Sequence, residues 1–284
     1  MFAQPYLRFP GGKARALTFS YDDGVEQDQR LKQLFDRHGL KGTFNLNSRM
    51  FAPERSAFPP GTVIRRMTRT AALRCFQGGE HEIGFHGCTH PYLNRLPKNR
   101  QAQEIAADRE ALEGMFGGLV RGGAYPFGTY NADTLAVLES QGAAYCRTVE
   151  SSHSFQLPEN WLTLRPTCHH GDPELMALAK RFLEEPAERN PYLFYIWGHA
   201  YEFERDDTWN VIEALAAYLG GREDVYYATN IELYDYVQAF SGLRFTMDGL
   251  TAQNPWCRSV WFSHLGQTYE LRPGEGITLP KESI

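Results

Sequence analysis

The sequence lacks several features that would place it in a restricted class. No run approaches the ~20 apolar residues that a membrane-spanning helix needs, and the start, Met1 to Arg8, has neither the basic nor the apolar region of a secretory signal. The five cysteines are odd in number and form no CxxC pair, which is typical of reduced thiols rather than of a disulfide framework. These absences predict a cytoplasmic protein that does not enter a membrane.

An excess of basic charge is also absent. Lys and Arg number 29 against 34 Asp and Glu, so the formal net charge is −5, and such a chain presents no basic field to a phosphate backbone. Nucleic acid is therefore a poor candidate partner, and we expect a small molecule or an oligosaccharide instead, with a homo-oligomer left open. The 284 residues, 42% of them hydrophobic, can bury a core without disulfide or metal staples.

Short β-rich runs alternate with helical patterns along most of the chain. Strands are predicted at 15–21, 42–46, 81–85, 119–124, 144–148, 192–197 and 225–228, and helices at 28–37, 98–115, 132–141, 173–183, 209–219 and 231–240. The stretch 51–70, which contains Pro, Gly and Arg, is assigned to an excursion over the surface. Gly39 is the expected end of the first helix, and Asp172 followed by Pro173 is the expected start of the fourth. This alternation predicts parallel β/α architecture, as a barrel or an open sheet.

After residue 240 the pattern changes. Alternating runs at 243–247, 259–262 and 269–271 are separated by Gly, Pro and Asn, which is typical of short antiparallel strands. We therefore predict a β/α domain over residues 1–240 and a small β-rich C-terminal appendage over residues 241–284.

The first predicted strand ends in two adjacent carboxylates, Asp22 and Asp23. In parallel β/α proteins the functional groups lie at the carboxyl ends of the strands. Two neighbouring carboxylates repel each other unless a cation neutralises the pair. A plain Asp-Gly turn is the alternative interpretation of this segment.

The third predicted strand is followed by His86-Gly87-Cys88-Thr89-His90. Imidazoles at positions i and i+4 of a helical turn point the same way and can share one metal ion, and Asp23 would complete a ligand set with them. Cys88 would point elsewhere on such a turn and is not counted as a ligand. A metal site is favoured over two separate polar histidines.

Two further strands end in segments suited to binding or catalysis. One is followed by Tyr125-Pro126-Phe127-Gly128, for which a simple Pro-Gly turn is the alternative. The aromatic strand near residue 195 is followed by His199, a candidate general acid because the ordinary pKa of histidine is about 6.5. Glu202 and Glu204 are assigned to a solvated loop.

Together these segments resemble the motifs of the polysaccharide deacetylases, that is, carbohydrate esterase family 4 and its NodB-homology relatives. The family's Thr-Phe-Asp-Asp-Gly motif stands here as Thr18-Phe19-Ser20-Tyr21-Asp22-Asp23-Gly24, and its His-Ser/Thr-x-x-His motif as the segment from His86 to His90. Its Arg-x-Pro-Tyr-Gly-like motif corresponds to Ala124 to Gly128, and its Leu-x-His motif to Trp197-Gly198-His199. The resemblance extends over residues 15–240 in the family's order, and the first two motifs together are specific.

The resemblance implies a distorted (β/α)7 barrel with metal-dependent deacetylase activity. Asp22 would be the general base and His199 the general acid. The metal ligands would be Asp23, His86 and His90, with Zn²⁺ as the leading cation and Co²⁺, Ni²⁺ or Fe²⁺ as alternatives. The backbone N–H of Phe127 would donate to the oxyanion. The residues expected to line the substrate and oxyanion side of the site are Tyr125, Pro126, Phe127, Trp197 and Arg147.

Two departures indicate a divergent member. Ala124 stands where the family's third motif has Arg, and the sequence has no clear Asp-x-x-Asp-Trp motif. Arg147, at the end of the next predicted strand, is a candidate to restore a guanidinium near Asp22, the alternative being an ordinary structural arginine. A polar loop, or alternatively a further wall of the pocket, is expected at Arg165, His169 and His170.

The predicted reaction is removal of acetyl groups from an N-acetylated sugar or oligosaccharide, with aromatic rings stacking on the sugar. The candidate rings are Tyr21, Tyr125, Tyr130, Trp197 and Tyr201. Alternatives are hydrolysis of a linear amide or ureide, which some relatives perform without metal, and non-catalytic carbohydrate binding. A non-haem iron oxygenase is disfavoured, because those enzymes commonly place the carboxylate two residues after the first histidine, where this chain has Cys88.

Overall fold

The computed structural model describes residues 5–187 and 189–281. Residues 1–4, on which the expectation about a signal sequence partly depends, and residues 282–284 of the predicted appendage lie outside the described residues. Within the described ranges, no helix combines the length and the apolar character needed to cross a membrane.

Strands and helices alternate through most of the chain. The strands are β1 (Tyr6–Arg8), β2 (Arg15–Asp22), β3 (Gly42–Leu46), β4 (Glu82–Phe85), β5 (Gly122–Ala124), β6 (Tyr145–Arg147), β7 (Cys168–His169), β8 (Tyr192–Gly198), β9 (Val225–Tyr227), β10 (Arg244–Phe245), β11 (Thr251–Gln253), β12 (Val260–His264), β13 (Gln267–Leu271) and β14 (Gly276–Thr278). The α-helices are α1 (Asp28–His38), α2 (Arg69–Phe76), α3 (Lys98–Phe116), α4 (Ala132–Ser140), α5 (Leu175–Glu184), α6 (Ala200–Arg205), α7 (Trp209–Leu219) and α8 (Asn230–Ser241).

A parallel sheet with β2 near its centre organises the fold. In the described part of the chain, seven strands run in the order β6-β5-β4-β3-β2-β8-β7, and β9 pairs with the first residues of β2, beside the stretch that pairs with β3. The sheet curls into a half-barrel with helices between its strands, so the predicted distorted (β/α)7 barrel is confirmed.

The side chains of β2 alternate between two buried environments, because successive side chains of a strand point to opposite faces. On one face, Thr18 Oγ1 donates to Asn230 Oδ1 at 3.0 Å, and Asn45 Nδ2 donates to Ser20 Oγ at 2.9 Å. Asp22 belongs to this polar face and also receives a hydrogen bond from Asn45. The opposite, apolar face carries Leu17, Phe19 and Tyr21.

The helix termini follow the sequence signals in part. α1 ends at Gly39, which has a φ of 64° as the prediction requires. α5 begins at Leu175 rather than at Pro173, because Asp172 Oδ1 accepts the Glu174 N–H at 2.9 Å and so closes a turn before the helix.

Two helices were missed by sequence analysis. α2 begins at the end of the segment assigned to a surface excursion, and α6 occupies the segment assigned to a solvated loop. They have eight and six residues, which is too short for the helical period to stand out.

The C-terminal residues form antiparallel strands, as their alternating pattern predicts. One sheet has the order β10-β11-β14, and the other has the order β1-β12-β13. The second sheet includes the N-terminal strand, in which Leu7 pairs with Phe262. Sequence analysis had placed this strand with the barrel, so the boundary at residue 240 does not separate the sheets, and the division into two domains stays a prediction.

Candidate active site

The carboxyl ends of the parallel strands bring the candidate residues together. Asp22 is the last residue of β2, His86 follows β4, Arg147 ends β6 and His199 follows β8. Because these strands run in parallel, their ends lie at one edge of the sheet, and residues far apart in sequence become neighbours there.

Asp22 is buried and held from two sides. Arg147 Nη2 donates to its Oδ2 in a short contact, and Asn45 Nδ2 donates to its Oδ1 at 2.8 Å. Burial alone would raise the pKa of Asp22, but the Arg147 guanidinium, followed by His86 and His199, lowers it below its ordinary value. The carboxylate is therefore ionised at neutral pH.

Arg147 brings a guanidinium to Asp22, which was one of the two alternatives that the sequence left open. In the parallel register of β5 and β6, Ala124 is paired with Arg147, so the guanidinium reaches Asp22 from the neighbouring strand. The side chain is fully buried, and its guanidinium lies 4.3 Å from the Trp197 ring centroid. Its Nη1 also donates to the Thr148 carbonyl at 3.0 Å.

Asp23, His86 and His90 form a compact group in which one donor atom of each residue lies within 4.8 Å of the others. His90 Nε2 lies 3.2 Å from His86 Nε2 and 3.7 Å from Asp23 Oδ1. The segment 86–90 is an irregular turn, with a φ of 54° at His90, so the expectation of a helical turn was wrong. The Nε2 atoms of the two imidazoles nevertheless point towards each other.

The donor set of this group fits a divalent cation. His86 Nδ1 lies 2.8 Å from the Ala124 carbonyl oxygen, which assigns the proton to Nδ1 and leaves the lone pair of Nε2 facing His90. Burial lowers the pKa of His86, and burial together with His86 lowers the pKa of His90 to about 4. Two neutral imidazoles and a carboxylate are ligands that Zn²⁺ accepts.

Sequence analysis missed Arg66, which lies in the segment assigned to a surface excursion. Its Nη2 donates to Asp23 Oδ1 at 2.8 Å, and its Nη1 donates to Asn47 Oδ1 at 2.7 Å and, in a shorter contact, to the Asp23 carbonyl. Nothing in the local sequence distinguishes this arginine from its neighbour Arg65, which pairs with Glu204 instead.

His199 lies between two carboxylates. Its Nε2 is 3.9 Å from Asp22 Oδ2, and its Nδ1 is 3.3 Å from Glu202 Oε2. Burial would lower the pKa of His199, but Glu202 and Asp22 raise it above its ordinary value. The protonated ring of His199 is therefore more stable than that of an ordinary histidine.

The assignment of Glu202 to a solvated loop was wrong. Glu202 lies on the first turn of α6 and is only 9% exposed. Its Oε2 is 3.0 Å from His169 Nε2 and 3.3 Å from His170 Nε2. These two histidines therefore reach the site, whereas Arg165 is exposed and lies 3.5 Å from Glu150.

The aromatic residues expected to stack on a substrate divide into accessible and inaccessible ones. Tyr21 and Tyr125 are each 1% exposed, and the Tyr125 hydroxyl donates to the Leu162 carbonyl at 2.7 Å. The expectation that these two rings stack on a ligand was therefore wrong. Tyr201 is half-buried, with its ring centroid 5.2 Å from that of His199.

Phe127 supplies an exposed aromatic surface beside the His86–His90 pair, whereas its neighbour Pro126 is buried. The Phe127 ring is 48% exposed and lies edge-on to His90, with 4.4 Å between the ring centroids. It stacks on Tyr92 at 3.9 Å with an interplanar angle of 7°. Sequence analysis included Phe127 among the residues that line the site but did not identify Tyr92.

The fold and the site define a class of protein, the β/α barrels that carry a two-histidine, one-carboxylate group at their strand ends. Residues 9–146 match the family model described as polysaccharide deacetylase. The match covers just under half of the chain and contains both the Asp22-Asp23 and the His86–His90 motifs, so the resemblance to this family is confirmed over those residues. No curated protein matches the chain.

A solved structure of low sequence identity shares the fold, and others resemble the chain less closely. A protein described as a candidate polysaccharide deacetylase from Mycobacterium smegmatis is 19% identical, with a TM-score of 0.58 over 84% of this chain and 96% of that one. A Bacillus anthracis pseudoenzyme of carbohydrate esterase family 4 is 17% identical, with a TM-score of 0.48 over 81% of this chain and 68% of that one. A Streptococcus pyogenes deacetylase, PplD, solved with acetate, is 19% identical with a TM-score of 0.43, and the match covers 51% of this chain and 61% of that one.

Proposed function

We propose that this chain is a metal-dependent deacetylase that hydrolyses the amide bond of an N-acetylated sugar or oligosaccharide. The match of residues 9–146 to the polysaccharide deacetylase family supports the reaction class. The observation that carries the proposal is the approach of two groups suited to opposite roles. These are the ionised Asp22 and His199, whose pKa is raised, and Asp22 Oδ2 lies 3.9 Å from His199 Nε2. A base and an acid side by side are what amide hydrolysis needs.

The cation would be held by Asp23, His86 and His90, with Zn²⁺ the first choice for two imidazoles and a carboxylate. When bound, a divalent cation supplies Lewis-acid polarisation of the amide carbonyl and eases deprotonation of the attacking water.

In the proposed reaction, the remaining residues move protons and hold groups in place. Asp22 accepts a proton from the attacking water, while Arg147 and Asn45 keep its carboxylate ionised and oriented. The backbone N–H of Phe127 donates to the developing oxyanion. His199 gives its Nε2 proton to the departing nitrogen, which is otherwise a poor leaving group. The products are acetate and the free amine.

One observation favours a second candidate, a metal-free hydrolase of a linear amide or ureide. Arg66 already supplies a positive charge 2.8 Å from Asp23 Oδ1. A guanidinium there can neutralise Asp23 without a cation and can stabilise charge that develops on a substrate.

The test is acetate release from N-acetylglucosamine oligosaccharides, measured with metal content before chelation, after chelation and after Zn²⁺ is returned. We expect activity to disappear with the metal and to recover with it. Asp22→Asn should retain the metal and lose on the order of 10²-fold or more in kcat, whereas Asp133→Asn, at an exposed position of α4, should not change it.

Two results would contradict the proposal. Full activity after complete metal removal would favour the metal-free candidate. Retained metal and ligand binding without turnover on any sugar or linear amide would favour a carbohydrate-binding protein.

A further inference from the structure

A second group of three potential ligands lies on the other side of His199. His169, His170 and Glu202 have donor atoms within 4.8 Å of one another, as Asp23, His86 and His90 do. The two groups have the same composition, two imidazoles and one carboxylate. They differ in what the second nitrogen of each imidazole contacts, and this decides what each group can bind.

His169 is arranged as a hydrogen-bond donor rather than as a metal ligand. Its Nδ1 accepts the Gly171 N–H at 3.0 Å, so its proton lies on Nε2, which faces Glu202 Oε2 at 3.0 Å. A metal ligand needs a lone pair at the nitrogen that faces the ion and usually donates its other N–H to an acceptor. His86, whose Nδ1 faces a carbonyl oxygen, has that arrangement, and His169 has the opposite one.

The imidazole of His170 is neutral, and its orientation is fixed by packing. It stacks between Tyr21, at 5.6 Å and 13°, and Phe203, at 4.1 Å and 29°. Burial, followed by the neighbouring His169, lowers its pKa to about 3. A Cβ at Gly198 would lie 2.0 Å from His170 Nδ1, so the ring needs a glycine at that position. A neutral imidazole has one proton, and the nearby carboxylate favours that proton on Nε2, 3.3 Å from Glu202.

Glu202 is therefore surrounded by donors. Besides the two imidazoles, the backbone N–H of His199 donates to Oε2 at 3.2 Å. Burial would raise the pKa of Glu202, but His169 and His199 lower it below its ordinary value. The buried carboxylate is thus ionised, and its position is set by groups from β7 and α6.

The same oxygen determines the state of His199. Oε2 lies 3.3 Å from His199 Nδ1, a buried nitrogen to which the described residues offer no other hydrogen bond. A lone pair there would face the carboxylate and be repelled, so Nδ1 carries a proton. The other charged or titratable groups near the ring are Asp22 and Asp23 at and just after the end of β2, His170 just after β7, and Tyr201 of α6.

We propose that Glu202 is a positioning residue that keeps one proton on Nδ1 of His199, so that a second proton on Nε2 is available to the leaving group, and that its cluster with His169 and His170 binds no metal. The catalytic half of this inference rests on the proposed general-acid role of His199. The statements about the protonation of the His199 ring and about the number of bound metal ions do not depend on that role, and both are tested without substrate.

The test compares wild type with Glu202→Gln, using Glu204→Gln as the matched control. Glu204 has a partly exposed side chain that pairs with Arg65 and Gln27, so its variant changes charge on the same helix without touching His199. The ¹⁵N–¹H NMR signals of the His199 ring report its protonated nitrogens in the resting protein. We expect E202Q to lower the midpoint of the His199 titration by about one pH unit or more and E204Q to leave it unchanged.

In turnover, E202Q should reduce kcat about 10- to 100-fold, with KM changed less than about 2-fold, because positioning acts on the proton transfer rather than on substrate binding. Glu202→Asp, which keeps the charge, should recover part of kcat. If E202Q does not fold, Glu202→Asp provides the same NMR comparison, because its shorter side chain moves the carboxylate away from His199 Nδ1. This variant should lower the midpoint of the His199 titration, and an unchanged midpoint would again overturn the positioning role.

Titration with Zn²⁺ should yield one equivalent per chain in wild type and in E202Q alike. An unchanged His199 titration in E202Q would overturn the positioning role. A second Zn²⁺ equivalent in wild type that is lost in E202Q would overturn the assignment of a metal-free cluster. Absence of acetate release from wild type, with the NMR result as expected, would count against the proposed function alone.

Discussion

Arg147 carries a charge that is buried completely, and in the described part of the chain its ion-pair partner is Asp22. A buried ion pair is of doubtful net benefit to stability, but removing one partner leaves the other charge uncompensated in a medium of low polarity. Arg147 and Asp22 therefore each need the other as a counter-ion, and the free energy of unfolding measures this without an activity assay.

Arg147→Met is expected to lower the free energy of unfolding by about 3–5 kcal/mol, because Asp22 would remain buried without its counter-ion. Chemical denaturation measures this loss. Arg121→Met is the control, since Arg121 and Asp235 form a partly exposed pair whose loss should cost about 1 kcal/mol or less. Adding Asp22→Asn to Arg147→Met should restore part of the loss, and equal stability of Arg147→Met and wild type would refute the expectation.

Glu82, at the start of β4, is a half-buried carboxyl group held by hydrogen bonds. It accepts hydrogen bonds from the Tyr145 hydroxyl at 2.6 Å, the Thr43 hydroxyl at 2.8 Å and the Ile231 N–H at 2.9 Å. Burial nevertheless raises its pKa from 4.5 to about 7. The folded protein therefore holds this proton to a higher pH than the unfolded chain does, so ionisation of Glu82 opposes folding.

Below pH 4.5 Glu82 is protonated in the folded and the unfolded chain, so its titration does not change the free energy of unfolding. As the pH rises from 4.5 towards 7, the titration lowers the free energy of unfolding progressively. Glu82→Gln removes this titration. The free energy of unfolding of E82Q minus that of wild type should therefore increase by about 3 kcal/mol between pH 4.5 and 7. Urea denaturation at several pH values measures the difference. Glu80→Gln, at an exposed position, should follow the wild-type curve, and parallel wild-type and E82Q curves would contradict the assignment.

At the scale of elements, the turn that carries His86 is irregular and is held by groups from other elements. Asp108 of α3 accepts the His86 N–H at 2.9 Å and the Ser48 N–H at 2.7 Å. Asn47 donates to the carbonyls of His86 and Gly87 at 2.6 and 2.9 Å. A helix and a second loop thus determine where the imidazoles lie.

Asp108→Asn is expected to weaken Zn²⁺ binding about 10- to 100-fold, the usual effect of removing a group that orients a ligand. An amide has one acceptor oxygen and would set its NH₂ against one of the two N–H groups, which should also lower the free energy of unfolding by about 1–3 kcal/mol. Competition with a chromophoric chelator measures the affinity. Glu110→Gln on the exposed face of α3 serves as control, and unchanged affinity in D108N would show that the turn is held by other contacts.

At the scale of the whole molecule, the chain closes on itself through its N-terminal strand. β1 pairs with β12, and Tyr236 of α8 donates to the Arg8 carbonyl at 2.7 Å while accepting the Trp261 N–H at 2.9 Å. Phe9 is fully buried, with ring centroids 5.8 Å from Tyr226 and 6.1 Å from Tyr236. The C-terminal sheet and the barrel therefore share a packed interface.

Phe9→Ala should lower the free energy of unfolding by about 3–5 kcal/mol, because it leaves a cavity at that interface. ¹⁹F-labelled tryptophan resolves Trp197 of the barrel from Trp261 of the C-terminal sheet during denaturation, and we expect both signals to be lost together at a lower denaturant concentration. Phe245→Ala, at a position that is 38% exposed, should have little effect. Loss of the Trp261 signal alone would indicate an independent appendage.

Local sequence patterns predicted much of this protein. The alternation of strands and helices, the Gly39 helix end and the motif residues from Asp22 to His199 depend on neighbours within a few positions, where hydrophobic period, turn chemistry and motif spacing act. The same dependence explains the errors, because α6 is shorter than two helical periods and Glu202 looks like one charge among several.

The sequence by itself determined the parallel β/α class, which depends on periodicity. Its short motifs carried the resemblance to the deacetylases, which implied the barrel and the candidate ligands. Only the tertiary structure decided which charges meet. Arg147 reaches Asp22 across 125 positions, and Arg66 reaches Asp23 across 43. The register of parallel strands and the path of a loop decide which residues become such partners. A buried carboxylate can be identified as ionised only once its counter-ions and hydrogen-bond donors are known, and these come from distant parts of the chain.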